Sequence, residues 1–429
     1  MQHPPFPTGH RDKVLHRILA SELAPIAALI GSDDPALAVR AAATLMTRLL
    51  LTRLPGPGCR LLREDFSFSG HLAEGDEVEI SAEVEAPPSP GVVRLRCDVR
   101  HADGEPILTG FADLTLPATQ AGDLVTPFGT QPRRMLAALL QRCAALPPVL
   151  TAVAHPCDAA SLRGAVVAAA HRLITPILCG PEARIRGVAA AEGIDLSGIE
   201  IVPTPHSHAS AEAAVRLVVQ GRAQALMKGS LHTDELMSAA LAREAGLRTE
   251  RRVSHCFVMD APLYPRPLII TDAAVNIEPD LDAKADIVRN AIHLASAMGI
   301  ELPRVALLSA VETVTPRMAS TIDAAALCKM ADRGQITGGM LDGPLAFDNA
   351  VSPAAAKAKG IVSAVAGRAD VLVVPDIESG NMLAKQLALL GGAASAGIVL
   401  GLRVPMALTS RSDDALSRLA SAALLRLVA

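Results

Sequence analysis

The first part of the chain combines helical and strand-like spacing of its apolar residues. Between residues 10 and 53, apolar positions recur three and four apart, which predicts two helices: one buries Val14 and Ile18, the other Leu45 and Leu49. The stretch LPGPG then ends the second helix. Four short strands are predicted after it, at residues 60–69, 77–86, 92–101 and 106–116.

Two features predict how these strands pair. The dipeptide Asp103-Gly104 lies between the last two strands and is a strong signal for a tight hairpin. Val93, Leu95 and Val99 alternate with polar residues, so one face of the sheet is predicted to be buried. Residues 1–116 are therefore expected to form a small α+β domain with an antiparallel sheet.

A different pattern begins after a linker at residues 117–132, where prolines and glycines leave no periodicity. Short apolar strands now alternate with amphipathic helices, of which residues 281–298 are the clearest. Strands are predicted at 149–154, 174–179, 199–203, 224–227, 253–259, 267–271, 304–309, 370–374, 396–400 and 405–409. This α/β alternation predicts a mainly parallel sheet with helices on both faces. Because residues 133–429 are long for one such unit, two α/β lobes with a cleft are expected.

The composition removes several classes of partner. The chain has no tryptophan and one tyrosine, and its net charge is −4 with Lys and Arg scattered, so no nucleic-acid surface is expected. No apolar run reaches the roughly 18 residues of a membrane span, and the first residues lack the pattern of a signal peptide. The seven cysteines form no CxxC pair, which favours free thiols and a cytoplasmic protein.

Polar residues gather where the predicted strands end, and ligands of open α/β sheets bind at the carboxyl ends of strands. The clearest case is Lys228-Gly229-Ser230, which joins a strand to a helix that starts near Thr233. Free N–H groups and the positive end of a helix dipole suit an anion. An ordinary turn with Thr233 as the N-cap is the plainer alternative.

Other polar or glycine-rich segments are further candidates for a binding site. They are residues 155–158, 272–276, 335–344, 375–381 and 409–414. Three of them have a structural alternative. Gly338-Gly339 is then a tight turn, Asp272 to Asn276 a hydrogen-bonded turn, and Asp413 or Asp414 the cap of the last helix.

The sequence lacks the motifs that are typical of several classes of enzyme. His155, His206 and His208 have no partner at a helical spacing such as HxxxH, so no metal site is expected. The chain contains no GxGxxG that opens a helix, no GxxxxGK[ST] and no GxSxG. Cys256 lies inside an apolar strand, which favours a core thiol over a nucleophile.

Six segments, in order and at the expected spacing, resemble the phosphate acetyltransferase/phosphate butyryltransferase family over residues 133–429. They are ALMKGSLHTDELMSAAL, SHCFVMDAP, LIITDAAVNIEPDLDAKADIVRNAI, GGMLDGPLAFDNAVSPAAAKAKG, ADVLVVPDIESGNMLAKQL and VPMALTSRSDDAL. The MKG at Met227–Gly229 is closer to the butyryl branch of this family than to the acetyl branch.

The resemblance implies a fold, a reaction and its partners. The fold is two α/β lobes with a cleft, similar to the isocitrate and isopropylmalate dehydrogenases. The reaction is acyl-CoA + phosphate ⇌ acyl phosphate + CoA, with an acetyl or other short acyl group such as butyryl. Transfer is direct, in a ternary complex, and needs positioning and charge stabilisation but no enzyme nucleophile. Coenzyme A is a substrate, no metal or bound cofactor is implied, and a homodimer or higher homo-oligomer is expected.

The family's motif near the C-terminus makes Ser410 and Arg411 candidate catalytic residues. The resemblance implies that Arg411 holds phosphate oxygens and that Ser410 donates to the charge developing on the carbonyl oxygen. An aspartate after this pair takes the proton of the CoA thiol, and Asp413 and Asp414 are both candidates. Lys228 is predicted as a second anion contact. The predicted substrate-binding residues are Lys228, Gly229, Ser230, Asp272, Asn276, Gly338, Gly339, Asp342, Gly380 and Asn381.

Residues 1–116 resemble the MaoC-type enoyl-CoA hydratase hot-dog domain in LPGPG, HLAEGDEVEI and the Asp103-Gly104 hairpin. The hydratase pattern D-x-N-P-x-H is matched best by SDDPAL, which places Ser32 at the aspartate and Leu37 at the histidine. Hydration chemistry is therefore not expected. The domain is interpreted as a degenerate, truncated hot-dog that helps the protein dimerise or shapes CoA binding.

Three competing interpretations are weighed against the transferase. The first is a working enoyl-CoA hydratase, which the absent Asp/His dyad argues against. The second is a metal-dependent hydroxy-acid dehydrogenase on the related fold, with Asp272, Asp342 and Asp348 as candidate ligands. The third is an inactive protein that binds acyl-CoA or acyl phosphate, against which Ser410, Arg411 and the adjacent aspartates weigh.

Overall fold

A computed structural model describes residues 8–18, 22–23, 26, 36–55, 59–85, 91–115, 134–262, 264–409 and 413–429. The chain divides into two compact units, Met1–Pro132 and Arg133–Ala429, which we call the first and the second unit. The predicted linker at residues 117–132 lies outside the described residues.

The first unit is an antiparallel sheet with one long helix packed on it. Its strands are β1 (Arg11–Arg17), β2 (Arg60–Phe68), β3 (Glu77–Glu85), β4 (Val92–His101) and β5 (Pro106–Thr115), and its helix is α1 (Ala36–Thr52). The strand order is β1-β3-β4-β5-β2, and every pairing is antiparallel. A helix held against such a sheet is the hot-dog arrangement that the sequence predicted.

Alternation along the strands builds the core of the first unit. Ile80, Leu95 and Leu114 are fully buried on the face that meets α1, and Met46 and Leu49 of the helix pack against this face. Successive strand residues point to opposite faces, so this burial confirms the predicted alternation. Helix α1 confirms the second predicted helix.

The first predicted helix is wrong, because residues Arg11–Arg17 form strand β1, which pairs antiparallel with β3. Exposure alternates along this strand, and Leu15 is 76% exposed. Arg11 and Lys13 reach Glu79 of β3 at 3.3 and 2.9 Å. Cross-strand charge pairs and main-chain pairing thus outweigh the helical spacing of a few apolar residues.

The second unit is built on one sheet of eleven strands. The strands are β6 (Val149–Ala154), β7 (Ile174–Gly180), β8 (Glu200–Pro203), β9 (Ala225–Lys228), β10 (Ser254–Asp260), β11 (Leu268–Thr271), β12 (Arg304–Leu308), β13 (Met340–Leu345), β14 (Val371–Val373), β15 (Ala394–Leu400) and β16 (Met406–Ala407). Their order is β13-β12-β14-β11-β10-β15-β16-β9-β6-β7-β8. All but β13 were predicted from the apolar pattern. The sequence MLDGPL of β13 was interpreted as part of a glycine-rich segment instead.

Helices cover both faces of this sheet. They are α2 (Arg134–Cys143), α3 (Ala159–Ala170), α4 (Glu182–Glu192), α5 (Ser207–Val219), α6 (Thr233–Leu241), α7 (Leu281–Ala297), α8 (Ala319–Asp332), α9 (Phe347–Val351), α10 (Pro353–Ala358), α11 (Ile377–Leu389) and α12 (Ala415–Val428). Val258 enters the hydrophobic core on one face, and its neighbour Met259 enters the core on the other. The α/β class is therefore confirmed.

Two antiparallel strands at the centre divide the sheet into halves. β10 pairs antiparallel with β11 and with β15, and β15 pairs antiparallel with β16. The remaining pairings are parallel, as the sequence predicted. The parallel strands of the two halves consequently run in opposite directions within one continuous sheet.

No helix in the described parts of the chain is both long enough and apolar enough to cross a membrane.

Candidate active site

A pocket of about 780 Å³ is bordered by segments from both halves of the second unit. The segments that follow β9, β11, β14 and β16 surround it, together with one side chain from β10. Its lining residues are Lys228, Leu231, His232, Thr233, Phe257, Ala274, Ile377, Glu378, Asn381, Met382, Lys385, Leu408 and Thr409. The pocket therefore lies where strands of both halves end, which is the usual ligand position in open α/β sheets.

Lys228 is the last residue of β9 and is only 5% exposed. Its Nζ donates to the carbonyl oxygen of Thr409 at 3.4 Å. Burying an ammonium group costs free energy unless polar partners surround it, so this contact helps to hold the side chain beside the pocket. A positive charge is thus placed at the pocket wall.

Thr409 receives a second contact from a buried cation. Its hydroxyl accepts a hydrogen bond from the guanidinium of Arg418 at 3.0 Å, and Arg418 is 7% exposed. The carbonyl and the hydroxyl of Thr409 are therefore both fixed. Thr409 directly precedes Ser410 and Arg411, which lie outside the described residues, as does Ser412.

The turn after Lys228 does not offer the free N–H groups that were expected from it. The N–H of Gly229 donates to the Ala154 carbonyl, and that of Ser230 donates to the His155 carbonyl, both at 2.9 Å. A Cβ on Gly229 would lie 2.4 Å from the Ala154 oxygen, so glycine is required there for close packing of two strand ends. Gly229 and Ser230 shape the turn and do not line the pocket.

Helix α6 presents its N-terminus to the pocket instead. Its N-cap is His232 and not Thr233, and the side chain of His232 makes no capping hydrogen bond to the helix. Leu231, His232 and Thr233 all line the pocket. Because the first N–H groups of a helix have no partner within the helix, this end suits an anion better than the preceding turn.

Asp272 and Asn276 form the hydrogen-bonded turn that was the structural alternative for this segment. The carboxylate of Asp272 accepts from the N–H groups of Ala274, Val275 and Asn276 at 3.0 to 3.1 Å. Burial raises the pKa of Asp272. The amide of Asn276 donates to Asp272 and accepts from Arg252. Both predicted side chains thus hold the loop from which Ala274 faces the pocket.

Helix α11 starts directly against this loop. A Cβ on Gly380 would lie 2.8 Å from the carbonyl oxygen of Asp272, so a larger residue would push the helix away. Asn381 donates through Nδ2 to the Ala273 carbonyl at 3.1 Å and lines the pocket. Of these two predicted residues, Gly380 allows the close approach and Asn381 reaches the pocket.

The predicted residues of the glycine-rich segment lie elsewhere. Gly338 and Gly339 precede β13, at the amino end of an edge strand, and pack against Ile292 of α7. Asp342 lies within β13 and accepts from the N–H of Gly343 at 2.9 Å. Gly338, Gly339 and Asp342 do not line the pocket, because this segment leads into a strand and does not follow one.

The two candidate aspartates after Ser410 have different surroundings. Asp414 is the N-cap of α12, and its carboxylate accepts from the N–H of Ser417 at 2.8 Å. This is the capping role that was the alternative for this pair. Asp413 precedes the cap and is half-buried.

The histidines considered as metal ligands have other roles. His155 contacts the hydroxyl of Ser210 at 3.0 Å, and burial lowers its pKa. His206 caps α5 by accepting from Ala209, and His208 lies 3.6 Å from Glu235. Within the described residues, no group of three or more His, Cys, Asp or Glu side chains could hold a metal ion.

All seven cysteines are free thiols, as predicted. Burial raises the pKa of Cys256 to about 12 and that of Cys157 to about 11. Both thiols stay protonated at neutral pH and are poor nucleophiles. The prediction of a core thiol at Cys256 is confirmed.

Several residues of the pocket were not predicted from the sequence. Phe257 was assigned only to a strand, although the apolar alternation of SHCFVMD places it and His255 on one face. Lys385 was also missed, although it lies four and eight positions after Asn381 and Ile377 on one helix. Side chains at that spacing share a helix face, so this signal could have found it.

Comparison with known proteins identifies the family. Residues 205–425 match the family model for "Phosphate acetyl/butaryl transferase". A phosphate acetyltransferase of Rhizobium meliloti is 62% identical over 282 residues, which are 66% of this chain and 89% of the relative. A phosphate butyryltransferase of Clostridium acetobutylicum is 44% identical over 253 residues, 59% of this chain and 84% of the relative.

A solved structure agrees with these sequence matches. The branched-chain phosphotransacylase from Enterococcus faecalis V583 is 31% identical, with a TM-score of 0.56 over 65% of this chain and 99% of that protein. The structure, the family model and the curated relatives agree, and the chain belongs to the phosphate acetyl/butyryltransferase family.

Proposed function

We propose that the second unit transfers an acyl group, acetyl foremost, between coenzyme A and inorganic phosphate. The observation that carries this proposal is the pocket, where a buried lysine and the N-terminus of α6 face apolar side chains from the other half of the sheet. An oxyanion and an acyl thioester need these two environments side by side. The 62% identity to a phosphate acetyltransferase supports acetyl as the acyl group.

Phosphate binds at the positive end of the pocket. Lys228 and the first N–H groups of α6 supply positive charge and donors there, and Arg411 adds a bidentate contact. A phosphate oxygen attacks the thioester carbonyl carbon, and Ser410 donates to the oxygen that becomes negative. The carbon–sulfur bond then breaks, which leaves acyl phosphate and coenzyme A.

One aspartate moves the proton that this reaction requires. In the forward direction it passes the proton of the phosphate hydroxyl to the departing sulfur, and in reverse it takes the proton of the CoA thiol. We assign this role to Asp413, because the carboxylate of Asp414 already caps α12.

No residue of the enzyme carries the acyl group in this proposal. The cysteine thiols with raised pKa values argue against a thioester on the protein. Direct attack requires both substrates to be bound together, so we expect sequential rather than ping-pong kinetics. Coenzyme A is then a substrate, and no bound cofactor or metal takes part.

The first unit is proposed to be a non-hydrating hot-dog domain that supports assembly. SDDPAL leaves its hydratase dyad incomplete, and Ser32 lies outside the described residues. We expect a homodimer in the cytoplasm, where free thiols and coenzyme A coexist. Size-exclusion chromatography with light scattering tests the oligomer, and turnover of crotonyl-CoA to its hydrated product by the full chain would contradict this assignment.

The decisive experiment measures release of coenzyme A from acetyl-CoA by the full chain, with and without orthophosphate, through a thiol reagent. We expect release that requires phosphate and saturates in both substrates. A chain that is folded by circular dichroism but releases no CoA with acetyl-, propionyl- or butyryl-CoA would refute the proposed activity. Initial rates over a grid of both substrate concentrations then separate intersecting lines from the parallel lines of a covalent mechanism.

A further inference from the structure

One cross-strand row runs through the floor of the pocket. Lys228 on β9 lies beside Leu408, which follows β16, and the N–H of Leu408 donates to the carbonyl of Gly397 on β15 at 3.2 Å. Gly397 in turn pairs with Phe257 on β10. Neighbouring strands are about 4.8 Å apart, so Leu408 and Phe257 are separated by roughly 10 Å of sheet with a glycine between them.

His255 fills the gap that this glycine leaves. A Cβ on Gly397 would lie 2.4 Å from the carbonyl oxygen of Leu408 and 2.9 Å from Nε2 of His255, so any other residue there would disturb both the strand pairing and the imidazole. The ring of His255 is completely buried and meets the ring of Phe257 edge to face, with centroids 4.4 Å apart at 73°. This geometry is a favourable one for two aromatic rings.

The imidazole of His255 makes no polar contact in this position. Neither ring nitrogen has a hydrogen-bond partner among the described residues, and burial lowers the pKa of His255 to about 3. The ring is therefore neutral and acts by shape alone. It lies beside Phe257 on the side toward Leu408 and limits how far the phenyl ring can move in that direction.

The depth of the pocket decides which part of a substrate meets Phe257. Glu378, Met382 and Lys385 of α11 are exposed at the rim, whereas Phe257 comes from a central strand and is half-buried. The reacting carbonyl must lie near Lys228 and Thr409. The acyl chain is the only part of acyl-CoA beyond that carbonyl, so it extends along the row toward Phe257, while the rest of coenzyme A leaves past the rim.

We propose that Phe257, packed against the buried ring of His255, closes the acyl end of the pocket and sets the upper limit on acyl chain length. This inference rests on the proposed transferase activity and adds its specificity-determining residue. The phenyl ring stops the chain after a short acyl group, and the glycine at position 397 leaves room for the Leu408 carbonyl and for the imidazole that packs against Phe257.

The test compares kcat/KM for acetyl-, propionyl-, butyryl- and hexanoyl-CoA at saturating phosphate. Phe257→Ala should raise the ratio of butyryl-CoA to acetyl-CoA by roughly tenfold or more, the range expected for added methylenes in an apolar pocket. Phe257→Leu, which disturbs packing less, should shift the ratio in the same direction by a smaller factor. His255→Ala should also raise it, since the phenyl ring can then move into the space that the imidazole leaves.

Met382→Ala is the matched control, because it removes an apolar side chain of the same pocket at its exposed rim. It should raise KM for every acyl-CoA alike and leave the ratio unchanged. An unchanged ratio in folded Phe257→Leu, or an equal shift in Met382→Ala, would overturn the role of Phe257. Phosphate-dependent turnover of acetyl-CoA by the unaltered chain decides the transferase activity separately, so the two proposals fail in distinguishable ways.

Discussion

The two units use their charged side chains in different ways. On the outer face of the first unit's sheet, Arg94 and Asp113 share two hydrogen bonds of 2.7 Å, and Arg96 reaches Glu83 at 2.7 Å. In the second unit, Lys228 instead donates to a neutral carbonyl beside a pocket. Acid–base pairs across neighbouring strands help to fix register, because a slip would separate the paired charges. Lys228 lines the pocket, where its charge can attract an anion that enters.

The largest loss of activity is expected on substitution of Arg411, the other cation proposed to bind phosphate. Arg411→Ala should lower kcat/KM by roughly 100-fold or more, since one charge-stabilising donor in a transition state contributes about that factor. The KM for phosphate should rise more than the KM for acetyl-CoA. Arg368, exposed and distant in sequence from the motif, serves as the matched arginine, and its alanine variant should behave like the unaltered protein. Equal kinetics for both variants would remove Arg411 from the site.

Lys228 should show the next largest effect. Lys228→Ala removes the buried positive charge at the pocket wall, and we expect roughly a 10- to 100-fold rise in the KM for phosphate. Lys329→Ala is the control, because that exposed lysine is paired with Asp332 on α8. Steady-state kinetics with varied phosphate make the comparison. A phosphate KM that stays within twofold of the original value would show that Lys228 does not bind the anion.

The buried histidine should make the second unit sensitive to acid. The pKa of His255 is about 3 when folded and near 6.5 when unfolded, so the unfolded chain binds more protons between these values and stability falls as pH decreases through that range. Between pH 6.5 and pH 5 this histidine should cost about 2 kcal/mol of unfolding free energy. Urea unfolding at both pH values should show this loss in the original protein and a smaller loss in His255→Leu.

The adjacent aspartates should separate stability from activity. Asp414→Ala removes the cap of α12 and should lower the unfolding free energy by about 1 kcal/mol. Asp413→Asn should change stability less than Asp414→Ala does, and it should slow the reaction. The slowing should be strongest in the direction that consumes CoA, at a pH low enough to keep the thiol fully protonated. Thermal melts and rates of acetyl phosphate formation and consumption distinguish the two. The reverse pattern would exchange the roles of the two residues.

The smallest effect on activity is expected in the first unit. Arg94→Ala breaks its paired contact with Asp113 and should destabilise the sheet of the first unit. The rate of phosphate-dependent CoA release should not change, because that charge pair belongs to a different unit from the pocket. A large loss of transferase rate with unchanged folding would show that the first unit contributes directly to the reaction.

Most of the fold could be predicted from the sequence because the apolar pattern of buried strands is strong. The strands of the second unit are short, continuously apolar and separated by helices, so their number and type follow from local spacing. The predictions for the segments that form β1 and β13 were wrong for opposite reasons. β1 carries a few apolar residues at helical spacing but is held by main-chain pairing with β3, and β13 contains glycine and proline within a real strand.

The site was predictable only in part. Lys228 and Asn381 reach the pocket, because polar residues after buried strands mark ligand positions. Whether a peptide N–H is free depends on contacts between segments that are distant in sequence, such as Gly229 with Ala154. The packing of His255 against Phe257 likewise depends on the space at Gly397 of a neighbouring strand. That residue is distant in sequence, so no local pattern could predict the contact.

The continuous central ladder limits how substrates can enter and leave. β10 and β15 join the two halves by seven residue pairs. The halves therefore cannot rotate apart as rigid bodies about a flexible hinge without breaking this pairing. A change in the width of the pocket entrance would then require twisting of the whole sheet or a shift of α11, whose exposed side chains line the pocket. The distance between fluorescent labels on α11 and on α6 should change during turnover. The distance between a pair of labels on β10 and β15 should stay constant.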